Sequence, residues 1–181
     1  MTQATNTSFR RRSLSLLAAA SCLLCATGAI AQTNYPTRPV RLIVGFPAGT
    51  GPDIVARILA QRLSEGWSNM GVIVDNKPGA GGLIAAGETA RATPDGYTLM
   101  LGETGQLSIA PSSYNKLPYD PVKDFAPVSQ VVSSDFVLLV NPLKVPAKTV
   151  KEFVGWTQQQ NGLFMATFGA GTPGHFGAFM F

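Results

Sequence analysis

The sequence has 181 residues and a formal net charge of +4; 45% of its residues are hydrophobic and 13% are charged. The adjacent Arg10, Arg11 and Arg12 account for most of the excess charge, and without them the chain carries 11 basic and 10 acidic side chains. So balanced a composition argues against a nucleic-acid-binding protein, because such proteins present a dense basic surface.

The first 31 residues have the pattern of a secretory signal peptide. The three arginines precede an apolar run over residues 14–30, and small residues stand at the two positions that a signal peptidase reads, Ala29 and Ala31. A membrane anchor is the alternative, but the run is short for a span and rich in Ala and Ser. We therefore expect cleavage before Gln32 and a periplasmic protein.

The sequence offers little for covalent or metal chemistry. Cys22 and Cys25 both fall in the leader, so the mature chain has no thiol for catalysis, a disulfide or zinc. His175 is the only histidine, and it has neither the companion ligands of a metal site nor a G-x-S-x-G nucleophile motif. We predict no metal, no cofactor and no enzymatic activity.

Residues 40–101 predict two strand–loop–helix units followed by a third strand. The strands are expected at residues 40–44, 72–74 and 97–101, the glycine-rich loops at 45–51 and 76–82, and the helices from Pro52 and over residues 83–92. This order is typical of a parallel α/β sheet with right-handed crossovers. In the first helix, helical spacing predicts one buried face, made of Ile54, Val55, Ile58, Leu59 and Leu63.

The second half of the mature chain is less regular. We expect a proline-rich connector over residues 111–127, strands at 128–132, 136–140 and 163–168, and a helix over 150–160. A third glycine-rich loop at residues 169–173 is expected to open a final helix.

Two of the glycine-rich loops invite functional interpretations. The loop over residues 46–53 leads into a helix, so its amides suit an anion such as a carboxylate, although an ordinary strand-to-helix turn has the same appearance. The loop over residues 79–82 lacks G-x-G-x-x-G spacing and a P-loop lysine, so packing of helix on sheet explains it better than nucleotide binding. His175 and Glu103 either face a ligand or serve as ordinary packing and solvated residues.

Five spaced motifs resemble the tripartite tricarboxylate transporter substrate-binding proteins, the Bug family. They are Phe46-Pro47-x-Gly49-x-x-x-Asp53-Ile54-Val55-Ala56-Arg57, Asn76-Lys77-Pro78-Gly79-Ala80-Gly81-Gly82, Pro94-Asp95-Gly96-Tyr97-Thr98-Leu99, Leu117-Pro118-Tyr119-Asp120-Pro121-Val122-Lys123-Asp124-Phe125 and Gly169-x-Gly171-Thr172-x-x-His175. The resemblance covers residues 35–181.

The resemblance implies a two-lobed, type II-like periplasmic binding protein that closes around one small organic acid. It places the first lobe in residues 32–127, and hinge strands with the start of an incomplete second lobe in residues 128–181. It also implies a monomer that delivers its ligand to membrane permease components. The implied ligand-binding residues are Phe46, Pro47, Ala48, Gly49, Asp53, Glu103, Thr104, Gln106, Ala170, Gly171, Thr172 and His175.

Two departures from the family pattern matter. Glu103 stands where the family commonly has a small hydroxyl residue, so we expect a ligand that also bears an amine or hydroxyl group. Family members are roughly twice as long, which implies an incomplete return to the first lobe, weak or no ligand binding and low stability for a chain of this length. An exported hydrolase-like enzyme and a non-functional remnant remain the alternatives.

Overall fold

The computed structural model describes residues 35–180, so the predicted leader, with Cys22, Cys25, Ala29 and Ala31, lies outside the described residues. The chain divides into two compact units, Met1–Thr37 and Arg38–Phe181. Every helix and strand given below belongs to the second unit. Within the described residues, none of the helices has both the length and the hydrophobicity that a membrane crossing requires.

A three-stranded parallel sheet forms the centre of this unit. Strands β1 (Val40–Val44), β2 (Val72–Asn76) and β3 (Thr98–Leu101) lie in the order β2-β1-β3. Both neighbours run parallel to β1, so the predicted parallel sheet with its crossovers is confirmed. Because β1 is the central strand and helices cover both faces of the sheet, its branched apolar side chains are almost completely buried.

Helices cover both faces of the sheet. Helix α1 (Gly51–Gly66) lies on the face that presents Leu42 and Val44. Helix α2 (Leu83–Ala90) lies on the other face, where Leu83 and Ala86 share a cluster with Met100 of β3. The result is a three-layer α/β/α arrangement in which each layer contributes to the core.

The buried face of α1 differs from the one predicted. The residues that face the sheet are Asp53, Ala56 and Ala60, whereas Ile54 is 52% exposed and Ile58 is 58% exposed. The helix is rotated about its axis because the small alanines let its backbone approach the sheet closely and because Asp53 has buried partners near β2. The prediction of a buried face that includes Ile54 and Ile58 was wrong.

A cluster of four charged residues ties α2 to the sheet. Arg41 of β1 forms ion pairs with both Asp75 of β2 and Glu88 of α2, and Lys77 Nζ lies 3.6 Å from Asp75 and 3.8 Å from Glu88. The hydrogen bonds to Glu88 and Asp75 raise the pKa of Arg41. All four members have partners here, so the cluster is a structural feature.

Helical segments follow the third strand. A π-helical turn over Gly105–Ile109 continues into α3 (Ala110–Ser113), which sequence patterns did not predict. Further along lie α4 (Val150–Thr157) and α5 (Pro173–Phe179), and both begin where a helix was expected. The side chains of Thr149 and Thr172 cap these two helices by accepting hydrogen bonds from Glu152 N and His175 N.

The strands expected at residues 128–132, 136–140 and 163–168 do not form in the described residues. A strand needs a neighbour to satisfy its amides and carbonyls, and the described part of the chain supplies none for these segments. Many of their side chains are exposed, with Leu139 at 84%, although Phe136 and Phe168 stack at 5.7 Å. The division into lobes at residue 127 stays a prediction.

Candidate ligand-binding site

Two predicted site segments and the second glycine-rich loop, which was predicted to serve packing, follow the three strands. The first loop (residues 45–50) follows β1, the second loop (residues 77–82) follows β2, and the third segment (residues 102–106) follows β3. Because the strands are parallel, their carboxyl ends meet at one edge of the sheet, which is where α/β proteins bind ligands. The sequence therefore brings these segments together through the topology of the sheet.

Close contacts join the four glycine-containing segments into a ring. A Cβ added at Gly45 would lie 2.8 Å from Gly82 Cα, and one added at Gly81 would lie 2.7 Å from the carbonyl oxygen of Ala170. A Cβ at Gly105 would lie 3.5 Å from the carbonyl oxygen of Gly171. The third of the predicted glycine-rich loops (residues 169–172), called the fourth loop from here on, therefore packs against the second loop and the third segment. A shared binding region requires such contacts.

Gln106 closes this ring. Its side chain is fully buried, and a Cβ added at Gly45 would lie 2.7 Å from its Nε2. Its Oε1 accepts the Glu103 amide at 3.1 Å, and its carbonyl oxygen accepts the hydroxyl of Tyr119 at 2.7 Å. Gln106 Nε2 has no acceptor among the described residues. In this structure Gln106 holds the third segment in place and is not accessible to a ligand.

The first loop is organised by a buried carboxylate. Asp53, which is 2% exposed, accepts hydrogen bonds from Gly49 N at 2.8 Å, Arg57 Nε at 2.9 Å and Asn76 Nδ2 at 2.9 Å. The hydrogen bond from Arg57 lowers the pKa of Asp53 most, followed by those from Gly49 and Asn76. Together they hold this pKa well below its usual range. Asp53 thus fixes the shape of the loop, and its own acceptors are occupied.

The other predicted site residues of the first loop differ in their solvent exposure. Phe46 is 8% exposed and packs in the core with Leu42 and Val44, and its carbonyl oxygen accepts Asn76 Nδ2 at 3.0 Å. Pro47, Ala48 and Gly49 are exposed. A Cβ added at Gly49 or Gly51 would meet no atom within 4 Å, so open space adjoins this part of the loop.

In the fourth loop, hydrogen bonds within the loop hold the backbone. The Thr172 hydroxyl donates to Gly169 O at 2.6 Å and caps α5, and its side chain is almost fully buried. The Gly171 amide donates to Nδ1 of the exposed His175 at 3.3 Å. Ala170 is exposed. A Cβ at Gly171 would lie 2.7 Å from the Tyr114 hydroxyl, so α3 and its C-cap residue support the loop.

Glu103 and Thr104 follow β3 after one intervening residue, Gly102. Thr104 is exposed, whereas Glu103 is partly buried, and burial raises the pKa of the Glu103 carboxyl. The Glu103 side chain has no hydrogen-bond donor or cation as a partner within residues 35–180. No cluster of three or more potential metal-ligating side chains occurs in the same range.

Three supporting residues were missed as site residues. Asn76, Tyr114 and Tyr119 each bind or contact a site segment through a side-chain polar group. Asn76 stood in a quoted motif at the end of β2, and a polar amide at that point is a recognisable signal. The two tyrosines lie in the region predicted as a connector, so nothing in the local pattern placed them near the loops.

Residues 55–181 match the family described as "Tripartite tricarboxylate transporter family receptor". The chain belongs to this receptor family. Membership in the family confirms the resemblance stated from the five motifs.

Similar proteins in this receptor family include two from Bordetella pertussis. A UPF0065 protein is 36% identical over 162 residues, which is 89% of this chain and 49% of the relative. Protein BugT is 37% identical over 131 residues, which is 70% of this chain and 40% of the relative. The chain therefore spans about half the length, or less, of these curated relatives.

Solved structures of receptor-family type share the fold. The periplasmic binding protein BugD is 35% identical, with a TM-score of 0.66 over 81% of this chain and 48% of BugD. An R. palustris protein solved with adipate is 29% identical, with a TM-score of 0.66 over 80% of this chain and 48% of its own. MatC of Rhodopseudomonas palustris, with bound malate, is 30% identical, with a TM-score of 0.58 over 69% of this chain and 42% of MatC. The predicted periplasmic binding protein fold class is confirmed, with less than half of each neighbour covered.

Proposed function

We propose that this protein is a periplasmic solute-binding protein that takes a small organic carboxylate at the ring of glycine-containing loops. The observation that carries the proposal is the meeting of four such loops beside the carboxyl ends of parallel strands. Structural neighbours solved with adipate and with malate support the ligand class.

Backbone amides are the proposed donors to the ligand. The Gly49 and Gly171 amides already donate to Asp53 and His175, so neighbouring amides are the better candidates. The amides of Ala48, Gly51 and Ala170 have no acceptor among the described residues, and all three residues are exposed.

The N-terminus of α1 supplies a second attraction for an anion. The helix runs for 16 residues, and its first amides point toward the space in front of Gly51. Partial positive charge at such a terminus favours a carboxylate without a basic side chain. Arg57, the basic residue nearest in sequence, pairs with Asp53 at 2.9 Å, so we assign ligand binding to the amides.

Delivery of the ligand to membrane permease components is part of the proposal. The family description names a receptor of a tripartite transporter, which supports a role in uptake. Export by the predicted signal peptide would place the protein where such a receptor meets its solute. We propose that it acts as a monomer.

Nuclear magnetic resonance tests the proposal, because amide chemical shifts report weak binding and locate it. Titration of the ¹⁵N-labelled chain with adipate, malate and succinate should move the resonances of Ala48, Gly51 and Ala170. Absence of any shift at concentrations that saturate a millimolar site would contradict carboxylate binding.

A matched pair of variants tests the location. Gly51→Leu places a side chain in the open space beside the loop and should weaken binding at least about tenfold, or 1.4 kcal/mol. Gly66→Leu is the control, because Gly66 ends the same helix and also has nothing within 4 Å of an added Cβ. Equal affinities of the two variants would place the ligand elsewhere.

A further inference from the structure

The outer edge of β2 is unpaired within the described part of the chain. The strand order is β2-β1-β3, so β2 has a neighbouring strand on one side only. In a parallel ladder, alternate residues bond to the neighbour, and the residues between them turn their amides and carbonyls the other way. The bond from Val40 N to Gly71 O at 3.0 Å fixes which residues bond to β1. The residues of β2 that face outward are Val72, Val74 and Asn76.

Most of these outward backbone groups have no partner among residues 35–180. The Val72 amide donates to Ser64 Oγ at 3.1 Å, which protects one end of the edge. The amides of Val74 and Asn76 and the three outward carbonyl oxygens have no such bond. Proline and lysine commonly protect an exposed strand edge, and β2 contains neither. The edge is therefore a template for another extended backbone.

A groove runs along this edge, between β2 and α1, and we call it the edge groove. Its volume is about 280 Å³, and Val72 and Val74 line it on the strand side. The lining residues of α1 recur at helical spacing and share one face of the helix: Arg57, Ala60, Gln61 and Ser64. A helix beside a free strand edge suits an extended peptide, because the strand supplies backbone bonds and the groove receives alternate side chains.

Arg57 gives one end of the edge groove a positive charge. Its side chain is 55% exposed. Its Nε donates to Asp53 at 2.9 Å, and its Nη2 donates to Asn76 Oδ1 at 3.4 Å. A guanidinium carries five N–H donors, so donors remain for a further acceptor. Ala60 makes the middle of the groove apolar. The lining thus suits an acidic side chain at the Arg57 end and a branched apolar side chain beside it.

We propose that the edge groove docks an extended peptide segment of a partner protein, which adds to the sheet as an antiparallel strand beside β2. An acidic side chain of the segment contacts Arg57, and a branched apolar side chain contacts Ala60. The amide and the carbonyl of Val74 both bond to the peptide residue opposite, and the Asn76 amide bonds to one further carbonyl. This inference goes beyond the proposed function, because docking requires no bound carboxylate.

The probe is the peptide acetyl-Lys-Glu-Thr-Val-Thr-Val-Lys-amide, titrated into the ¹⁵N-labelled full chain. Its glutamate and two valines alternate with threonines, so they share the face that meets the groove. In an antiparallel pairing the glutamate lies near Asn76 and the first valine lies opposite Val74. We expect the amide resonances of Val74 and Asn76 to shift. Absence of any shift at millimolar peptide would overturn the inference.

Two altered peptides test the contacts without any change in the protein. Methylation of the first valine's amide removes a backbone bond to β2 and should weaken binding at least about tenfold. Replacement of the glutamate by glutamine removes the charge and should weaken binding about threefold or more, because Arg57 loses a charged acceptor. Equal affinity of the methylated peptide would overturn strand addition. Equal affinity of the glutamine peptide would overturn the assignment to Arg57.

A matched pair of proline variants tests which edge binds. Val74→Pro removes an outward amide of β2 and leaves the ladder to β1 intact, so peptide binding should weaken at least about tenfold. Thr98→Pro is the control, because Thr98 has the same outward position on β3: Arg41 N bonds to the residue before it, Tyr97, at 2.9 Å. Equal affinities of the two variants would overturn docking at β2.

Two further measurements separate other outcomes. If the resonances of β2 shift with protein concentration in the absence of peptide, the edge pairs with a second copy of the chain, and the inference is overturned. Titration with adipate reports the proposed function independently through Ala48, Gly51 and Ala170. Loss of adipate binding alone would contradict carboxylate binding and leave docking intact, whereas loss of peptide binding alone would overturn docking.

Discussion

Gly45 and Gly82 lie back to back, so that a Cβ added at Gly45 would be 2.8 Å from the Cα of Gly82. Gly45 is the first residue after β1, and Gly82 immediately precedes α2. The contact joins the first and second loops, and the backbone at Gly82 leaves no room for a methyl group at Gly45. Close packing also explains Gly81 and Gly82, because an added Cβ would meet the carbonyl oxygen of Ala170 at Gly81 and the side chain of Gln106 at Gly82. The sequence predicted packing of helix on sheet, whereas the contacts found are with other loop segments.

The first prediction follows from this contact. Gly45→Ala should lower the free energy of unfolding by about 1–3 kcal/mol, because the methyl group meets backbone atoms that cannot move aside. Urea denaturation measures the change. Gly155→Ala in α4 is the control: its Cβ has nothing within 4 Å, and removing a helical glycine should raise stability by roughly 0.5–1 kcal/mol. Equal effects of the two substitutions would contradict the packing argument.

The second prediction concerns Asp53 and pH. Asp53→Asn should lower the melting temperature by roughly 5–10 °C at pH 7, because Arg57 and the Gly49 amide lose a charged acceptor. The folded-state pKa is depressed, so the contribution is fully present above the unfolded value of about 4 and is lost as the pH falls below it. The difference between wild type and variant should therefore shrink in acid. A difference that is constant with pH would contradict the assigned role.

The third prediction concerns Glu103, whose pKa is shifted in the opposite direction to that of Asp53. Burial raises the folded-state pKa above the unfolded value, so the folded state binds the proton more tightly and its stability falls as the pH rises through the folded pKa. Glu103→Gln should therefore stabilise the ligand-free protein at pH 7, with a gain that disappears below about pH 4. Thermal melts at both pH values check this. Destabilisation at pH 7 would show that the carboxylate has a partner.

The fourth prediction separates two helix caps. Thr172→Ala and Thr149→Ala should each cost about 1 kcal/mol, because each removes the side chain that caps a helix. Only Thr172→Ala should also weaken carboxylate binding, since Thr172 holds the fourth loop through Gly169 at 2.6 Å. Thr149 is exposed, so its variant serves as the control. Equal binding by both variants would remove the fourth loop from the site.

The fifth prediction tests the orientation of α1. Ala56 is fully buried against the sheet, so Ala56→Leu should overpack the core and cost about 1–3 kcal/mol. Ile58→Gln should change stability by no more than about 0.5 kcal/mol, because the side chain is exposed. The reverse result in urea denaturation would favour the face that the hydrophobic spacing predicted.

Local chemistry in the sequence determined the strand–loop–helix order. A run of branched residues placed β1 at the bounds observed, and glycine with proline marked the loop before α1. Parallel topology followed from the alternation of elements, and with it the edge of the sheet where the site segments meet. The five motifs were sufficient to recognise the family, which the match over residues 55–181 confirms.

Only the tertiary structure decided the orientation of α1 and the state of individual polar groups. Hydrophobic spacing in α1 could not anticipate that Asp53 would turn inward, because its partners Arg57, Gly49 and Asn76 come together only after the chain folds. Residues 128–140 have the composition of strands, yet a strand forms only when another segment satisfies its backbone, and composition carries no information about that partner. For the same reason the missing partner of Glu103 is a property of the folded chain: whether a carboxylate has a neighbour depends on residues distant in sequence.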